Sequence, residues 1–185
     1  MSFHEKCDIV TDEIKSVLQR VKAEEVDILI NEILRADKVF LVAVGRVFLS
    51  LQGFGKRLAH LGVNVQIVGS VTEKAITEKD LLIVASGSGE SILPRAVAEK
   101  AKKFNARLGI ITAAPVSTIK GMADFAVHLP CPTKTATPGM VNSVQPMSTL
   151  FDQSLHIFGD AVSMLIQERK GLRNEDMWRN HANLE

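Results

Sequence analysis

The sequence predicts an α/β protein, a three-layer α/β/α sandwich built on a five-stranded parallel sheet, and three observations predict it. Five short runs rich in Val, Ile and Leu recur along the chain, helix-compatible stretches separate them, and a Gly/Ser-rich segment follows one run and opens a helical pattern. Nearly continuous apolar runs suit strands buried on both faces, and helices alternating with them cover both sides of a parallel sheet.

In chain order, residues 5–21 carry Cys7, Val10, Ile14, Val17, Leu18 and Val21 at helical spacing. A second helix over 24–36 carries Val26, Leu29, Ile33 and Leu34. The period then shortens, and the strands are expected at 38–44, 64–68, 80–85, 107–112 and 125–129, with helices at 48–61, 93–104 and, more briefly, 117–122. The stretch 130–145, PCPTKTATPGMVNSVQ, has no periodicity and reads as a surface loop, which at this length is often functional. From Pro146 a last helix is expected to run to Lys170, stopped by Gly171. Its apolar positions, from Met147 to Ile166, cover more than one face, so burial on several sides by a second subunit, and hence an oligomer, is expected. The polar end, 174–185, reads as a tail.

The chain has 185 residues, 46% hydrophobic and 23% charged, which fits one domain over 1–185. A net charge of +1, no Tyr and 5% aromatic residues give neither a basic field nor stacking platforms, so nucleic acid is not an expected partner. Cys7 and Cys131 lack zinc-site spacing and form no disulfide framework, which suits a reducing, cytoplasmic setting. The start lacks a signal-peptide pattern, and the longest apolar run, 39–44, is too short to cross a bilayer, so no membrane partner is expected.

The segment 86–91, SGSGES, stands where a strand turns into a helix. Backbone N–H groups at a helix start carry partial positive charge, Gly87 and Gly89 allow close approach, and Ser86, Ser88 and Ser91 can donate to phosphate oxygens. It ends in no Lys-Ser/Thr and lacks G-x-G-x-x-G spacing, pointing to a phosphorylated metabolite rather than ATP or NAD. Taken alone, the segment reads equally well as a Gly/Ser turn capping a helix. Ligands of open α/β sheets bind beyond the carboxyl ends of strands, and both Gly45-Arg46 and SGSGES lie there.

With SGSGES, the HLG-x-x-V stretch at 60–65, QPMSTLFDQSL at 145–155 and the terminal HANLE at 181–185, nearly the whole chain resembles the sugar isomerase (SIS) domain family. Within that family it is most similar to the 6-phospho-3-hexuloisomerases. The resemblance implies a flavodoxin-like SIS fold and a homotetramer that interconverts 3-hexulose 6-phosphate and fructose 6-phosphate, after the synthase that adds formaldehyde to ribulose 5-phosphate. It implies no metal and no organic cofactor. By resemblance, Asp152 is the base and His181 a second polar group reaching the active site of a neighbouring subunit. Arg46 and Thr72 contact substrate, and Ser86, Gly87, Ser88, Gly89 and Ser91 hold its phosphate. On residue type alone, Asp152 reads as a charge favourable to the helix dipole and His181 as a solvated tail residue.

Three departures fall on loops expected to touch substrate. The family reads G-R-S-G where this chain has Gly45, Arg46, Val47 and Phe48, which removes a hydroxyl donor. Val71-Thr72-Glu73-Lys74 replaces a threonine run ending in proline, and Lys74 is a candidate to compensate for the lost serine. The family's glutamate is Asp152, one methylene shorter. Alternative readings are an isomerase of another phosphosugar, or a sugar-phosphate-binding protein without catalysis.

Overall fold

The computed structural model describes residues 1–133 and 139–184. Residues 134–138 of the loop expected at 130–145, and the final residue of the HANLE ending, lie outside the described residues. The elements run α1 (Phe3–Leu18), α2 (Ala23–Arg35), β1 (Val39–Val42), α3 (Gly45–His60), β2 (Val65–Ile67), β3 (Leu81–Ala85), α4 (Ile92–Lys102), β4 (Arg107–Thr112), α5 (Thr118–Met122), β5 (Phe125–His128), α6 (Thr149–Arg169) and α7 (Asn174–Trp178).

The five strands pair in parallel in the order β2-β1-β3-β4-β5. Side chains alternate between faces along each strand. Val39, Leu41, Leu81, Ile83 and Ala85 therefore enter one core with α1, α2, α3 and α6, while Phe40, Val42, Leu82 and Val84 enter a second core with α4 and α5. Both faces are covered, as the uninterrupted apolar runs require.

The helix boundaries differ from the expected ones for local reasons. Ser2 caps α1 and Glu5 reaches back in a capping box, so this helix starts before residue 5. The last helix begins at Thr149 rather than Pro146, because Met147 has φ 58 and a helix cannot run through a left-handed residue. The apolar surface of α6 is largely taken up within the chain by α1, α2 and α3, with Gly159 admitting Phe54 so closely that a Cβ there would lie 2.9 Å from the Phe54 Cβ. Ile157, Met164 and Leu165 remain exposed. The expected tail contains the short helix α7, where the Asp176 carboxylate accepts the Arg173 N–H. Among the described residues, no helix is long and apolar enough to cross a membrane.

Candidate active site

β2 lies to one side of β1 and β3 to the other, so the loops leaving β1 and β3 diverge and open a crevice between them. A cleft of about 800 Å³ occupies this position. Its lining includes Gly45, Arg46 and Val47 after β1, Ser86, Gly87, Ser88, Glu90 and Ser91 after β3, and Ser148, Thr149, Phe151 and Asp152 at the start of α6. The N-termini of α3, α4 and α6 thus meet at one cleft, and no side chain caps any of the three with a hydrogen bond. Helix starts with open N–H groups carry partial positive charge, and three together favour an oxyanion.

The SGSGES loop is held by its own polar groups. The Ser86 N–H continues the β3–β4 ladder by donating to the Ile111 carbonyl at 3.1 Å. Its hydroxyl accepts the Gly89 N–H at 3.0 Å and lies 3.1 Å from the Ser91 hydroxyl. The Gly87 carbonyl accepts the Ala113 N–H at 3.2 Å and the Thr112 hydroxyl at 3.3 Å, which ties the loop to the end of β4. Gly89 has φ +66 and packs against Ser117, behind the cleft wall. The Glu90 carboxylate accepts the Thr118 N–H, and chiefly for that reason is held below its ordinary pKa. Ser86 is buried and shapes the loop from inside, whereas Ser88 is exposed.

Across the cleft, the Arg46 Nε donates to the Asp152 Oδ2 at 2.5 Å. The Arg46 side chain is 69% exposed and that of Asp152 is 5% exposed. The second oxygen, Oδ1, is buried and makes no hydrogen bond among the described residues. Nearby Cys131 is fully buried; burial pushes its thiol up to about 12, and the Asp152 charge adds to the shift, so it stays neutral. A neutral thiol is a poor nucleophile. Among the described residues no group of three or more His, Cys, Asp or Glu side chains is placed to hold a metal ion.

Arg46, Ser86, Gly87, Ser88, Ser91 and Asp152 are therefore brought to one cleft, and Gly89 supports it from behind. Thr72 and Lys74 are not. The Thr72 hydroxyl faces that of Ser70 at 3.4 Å in the β2–β3 loop, and the Lys74 N–H donates to the Gln66 side chain. His181 stands beyond α7, its ring stacked on His60 at 5.1 Å and tilted against Trp178 at 4.9 Å. His60 ends α3, whose first turn holds Arg46, roughly 21 Å away at 1.5 Å per residue. His181 is thus remote from its own chain's cleft. Sequence reasoning missed Phe151, Ser148, Thr149 and Glu90 as lining residues. The signal for Ser148 and Thr149 lay in the QPMST motif itself, whose hydroxyls stand at a helix start.

Residues 32–157 match the SIS domain family. The chain is 36% identical over 176 residues to a 3-hexulose-6-phosphate isomerase of Bacillus subtilis, covering 95% of each chain. It is 37% identical to one of Mycobacterium gastri, covering 96% of this chain and 88% of that one. A solved structure of a hypothetical protein from Methanococcus jannaschii, with an inferred function of 3-hexulose-6-phosphate isomerase, superposes with a TM-score of 0.85 at 31% identity, covering 98% and 99% of the two chains. Switch-point cleft, SGSGES loop and full-length similarity agree, and the chain belongs to the SIS domain family.

Proposed function

We propose that this chain is a phosphosugar isomerase that interconverts 3-hexulose 6-phosphate and fructose 6-phosphate. The observation that carries the reading is the Arg46–Asp152 pair standing across one cleft from the SGSGES loop. The relatives from Bacillus subtilis and Mycobacterium gastri, matched over nearly their whole length, are named for this reaction.

The substrate phosphate sits on the SGSGES loop, against the Ser88 and Ser91 hydroxyls and the backbone N–H groups that the loop does not itself use, where it does no chemistry but holds the reacting carbons against the carboxylate. Asp152 takes the proton from C2 of the 3-ketose, the electron pair moves into the C3 carbonyl, and a C2–C3 enediolate forms. Return of the proton to C3, with a carbonyl forming at C2 and the hydroxyl proton passing between the two oxygens, yields fructose 6-phosphate. No electrons leave the sugar. Arg46 exchanges the carboxylate for the substrate oxygens and stabilises the enediolate charge.

The chain is read as one SIS domain that assembles into a homotetramer, with His181 supplied to a neighbouring cleft. Exposed Val116 and Met147 at the cleft and Ile92 beside it support a subunit contact there. Two free cysteines support a reducing, cytoplasmic setting, and the reaction follows formaldehyde fixation on ribulose 5-phosphate. Val47 supports a second reading, an isomerase of another phosphosugar, because it leaves the cleft one hydroxyl fewer. Purified protein incubated with 3-hexulose 6-phosphate is expected to form fructose 6-phosphate, and in deuterated water to place deuterium on the product. Absence of both, with turnover of another phosphosugar, would replace the first reading by the second.

A further inference from the structure

The QPM motif at the start of the last helix has no role in the reaction just described, yet it is tied to the opposite end of the sequence. Glu13, half-buried on α1, accepts three hydrogen bonds from the segment before α6. Its Oε2 takes the Ser143 hydroxyl at 2.6 Å and the Gln145 side-chain amide at 2.9 Å, and its Oε1 takes the Val144 N–H at 2.9 Å. Ser143 in turn accepts the Gln145 N–H at 3.1 Å. Every polar group of the carboxylate is thus spent on three consecutive residues.

Directly after them the chain makes a tight turn. Met147 is left-handed, and the Pro146 carbonyl accepts the Thr149 N–H and hydroxyl, so α6 starts at a fixed point. Ser148, Thr149, Phe151 and Asp152, which line the cleft, all follow within two turns of the anchored segment. Partial burial pushes the Glu13 carboxyl up, but the donors from Ser143, Val144 and Gln145 outweigh it and hold it below its ordinary value of 4.5. α1 lies outside the segment 32–157 that matches the SIS domain, so this support comes from beyond the matched core.

We propose that Glu13 is a positioning residue: by clamping Ser143, Val144 and Gln145 it sets the first turn of α6 and hence the placement of the Asp152 carboxylate. The inference rests on the reading of Asp152 as the base. It needs no contact between Glu13 and substrate, and it explains why a glutamine opens the motif.

The test compares full-length wild type with Glu13→Ala and Glu13→Gln by hydrogen exchange and steady-state kinetics. In Glu13→Ala, exchange of amides 144–152 is expected to rise by about tenfold or more while that of 81–91 stays unchanged. The kcat for 3-hexulose 6-phosphate is expected to fall by about tenfold or more, with inhibition by inorganic phosphate, which reports on the SGSGES loop, within about twofold of wild type. Glu13→Gln keeps an acceptor for Val144 but turns an amide toward two donors, and should fall between. Should Glu13→Ala fail to fold, Glu13→Gln carries the same readouts. Unchanged exchange over 144–152 overturns the proposal, as does a loss of kcat that phosphate affinity and melting temperature share in proportion. If wild type converts no 3-hexulose 6-phosphate, the functional reading fails, and the exchange comparison alone decides the clamp.

Discussion

Arg46 and Asp152 stand 106 residues apart in sequence and 2.5 Å apart in space. The contact joins the first turn of α3 to the first turn of α6 across the cleft. The Arg46 side chain is mostly exposed while the Asp152 carboxylate is buried, so solvent screens one end of the pair only. The consequence of the contact is chemical. Asp152→Asn keeps the shape of the side chain and removes the base, and turnover is expected to fall by about 10³-fold. Arg46→Ala leaves the base but removes the cation beside the enediolate, and kcat is expected to fall by about 10²-fold. Initial rates, with thermal melts showing both variants folded, check this; a folded Asp152→Asn variant of wild-type rate would remove the carboxylate from the mechanism.

Val47 lines the cleft next to Arg46 and packs its other side on the core. Serine here restores a hydroxyl at a helix start that has no side-chain cap. One hydrogen bond to a charged group contributes about 1.5 to 3 kcal/mol. Val47→Ser is therefore expected to tighten inhibition by inorganic phosphate by about tenfold or more. Unchanged inhibition would mean that the phosphate sits too far from residue 47 for a hydroxyl to reach it.

Gly89 shows why the loop needs a glycine at one particular place. Its φ of +66 disfavours any other residue, and a Cβ there would lie 2.0 Å from the Ser117 hydroxyl oxygen and 2.5 Å from the Ser117 Cβ. Ser117 cannot simply turn away, since its hydroxyl caps α5 by accepting the Lys120 N–H. Gly89→Ala is expected to cost roughly 1 to 3 kcal/mol in urea unfolding. Because the Gly89 N–H also fixes Ser86, phosphate inhibition should weaken with it.

How much of this was legible in the sequence follows from how far each contact reaches. Strands such as Leu81–Ala85 were readable because burial on both faces leaves an unbroken apolar run. The SGSGES loop was readable because its chemistry is local, between residues three to five apart. Asp152 was reached only through the family resemblance, since a carboxylate in a first helical turn looks like dipole compensation until Arg46 is seen beside it. Glu13 carried no signal at all. It is one of several acids on α1, and its partners lie 130 to 132 residues away. α7 escaped because five residues hold too little periodicity, and a side chain at its start, Asp176, does the organising.

Asp124 makes the fold's acid response predictable. It stands at the start of β5, where its carboxylate accepts the Leu108 N–H at 2.8 Å and the Lys102 ammonium at 3.0 Å, with Arg107 at 3.6 Å. Partial burial raises its pKa, but these donors and cations outweigh burial and hold it below the ordinary 3.8. A carboxyl depressed in the folded state binds fewer protons there than when unfolded, so stability rises with pH through that window. The contribution is fully present above about 3.8 and is lost as pH falls through the lower folded value; Glu13 behaves alike below 4.5. The urea midpoint is expected to decline from about pH 5 downward. Asp124→Asn should lower the unfolding free energy at neutral pH by about 1 to 3 kcal/mol and flatten the acid decline. A variant that kept the wild-type slope would show that other carboxylates, and not this anchor between β4 and β5, set the acid limit of the fold.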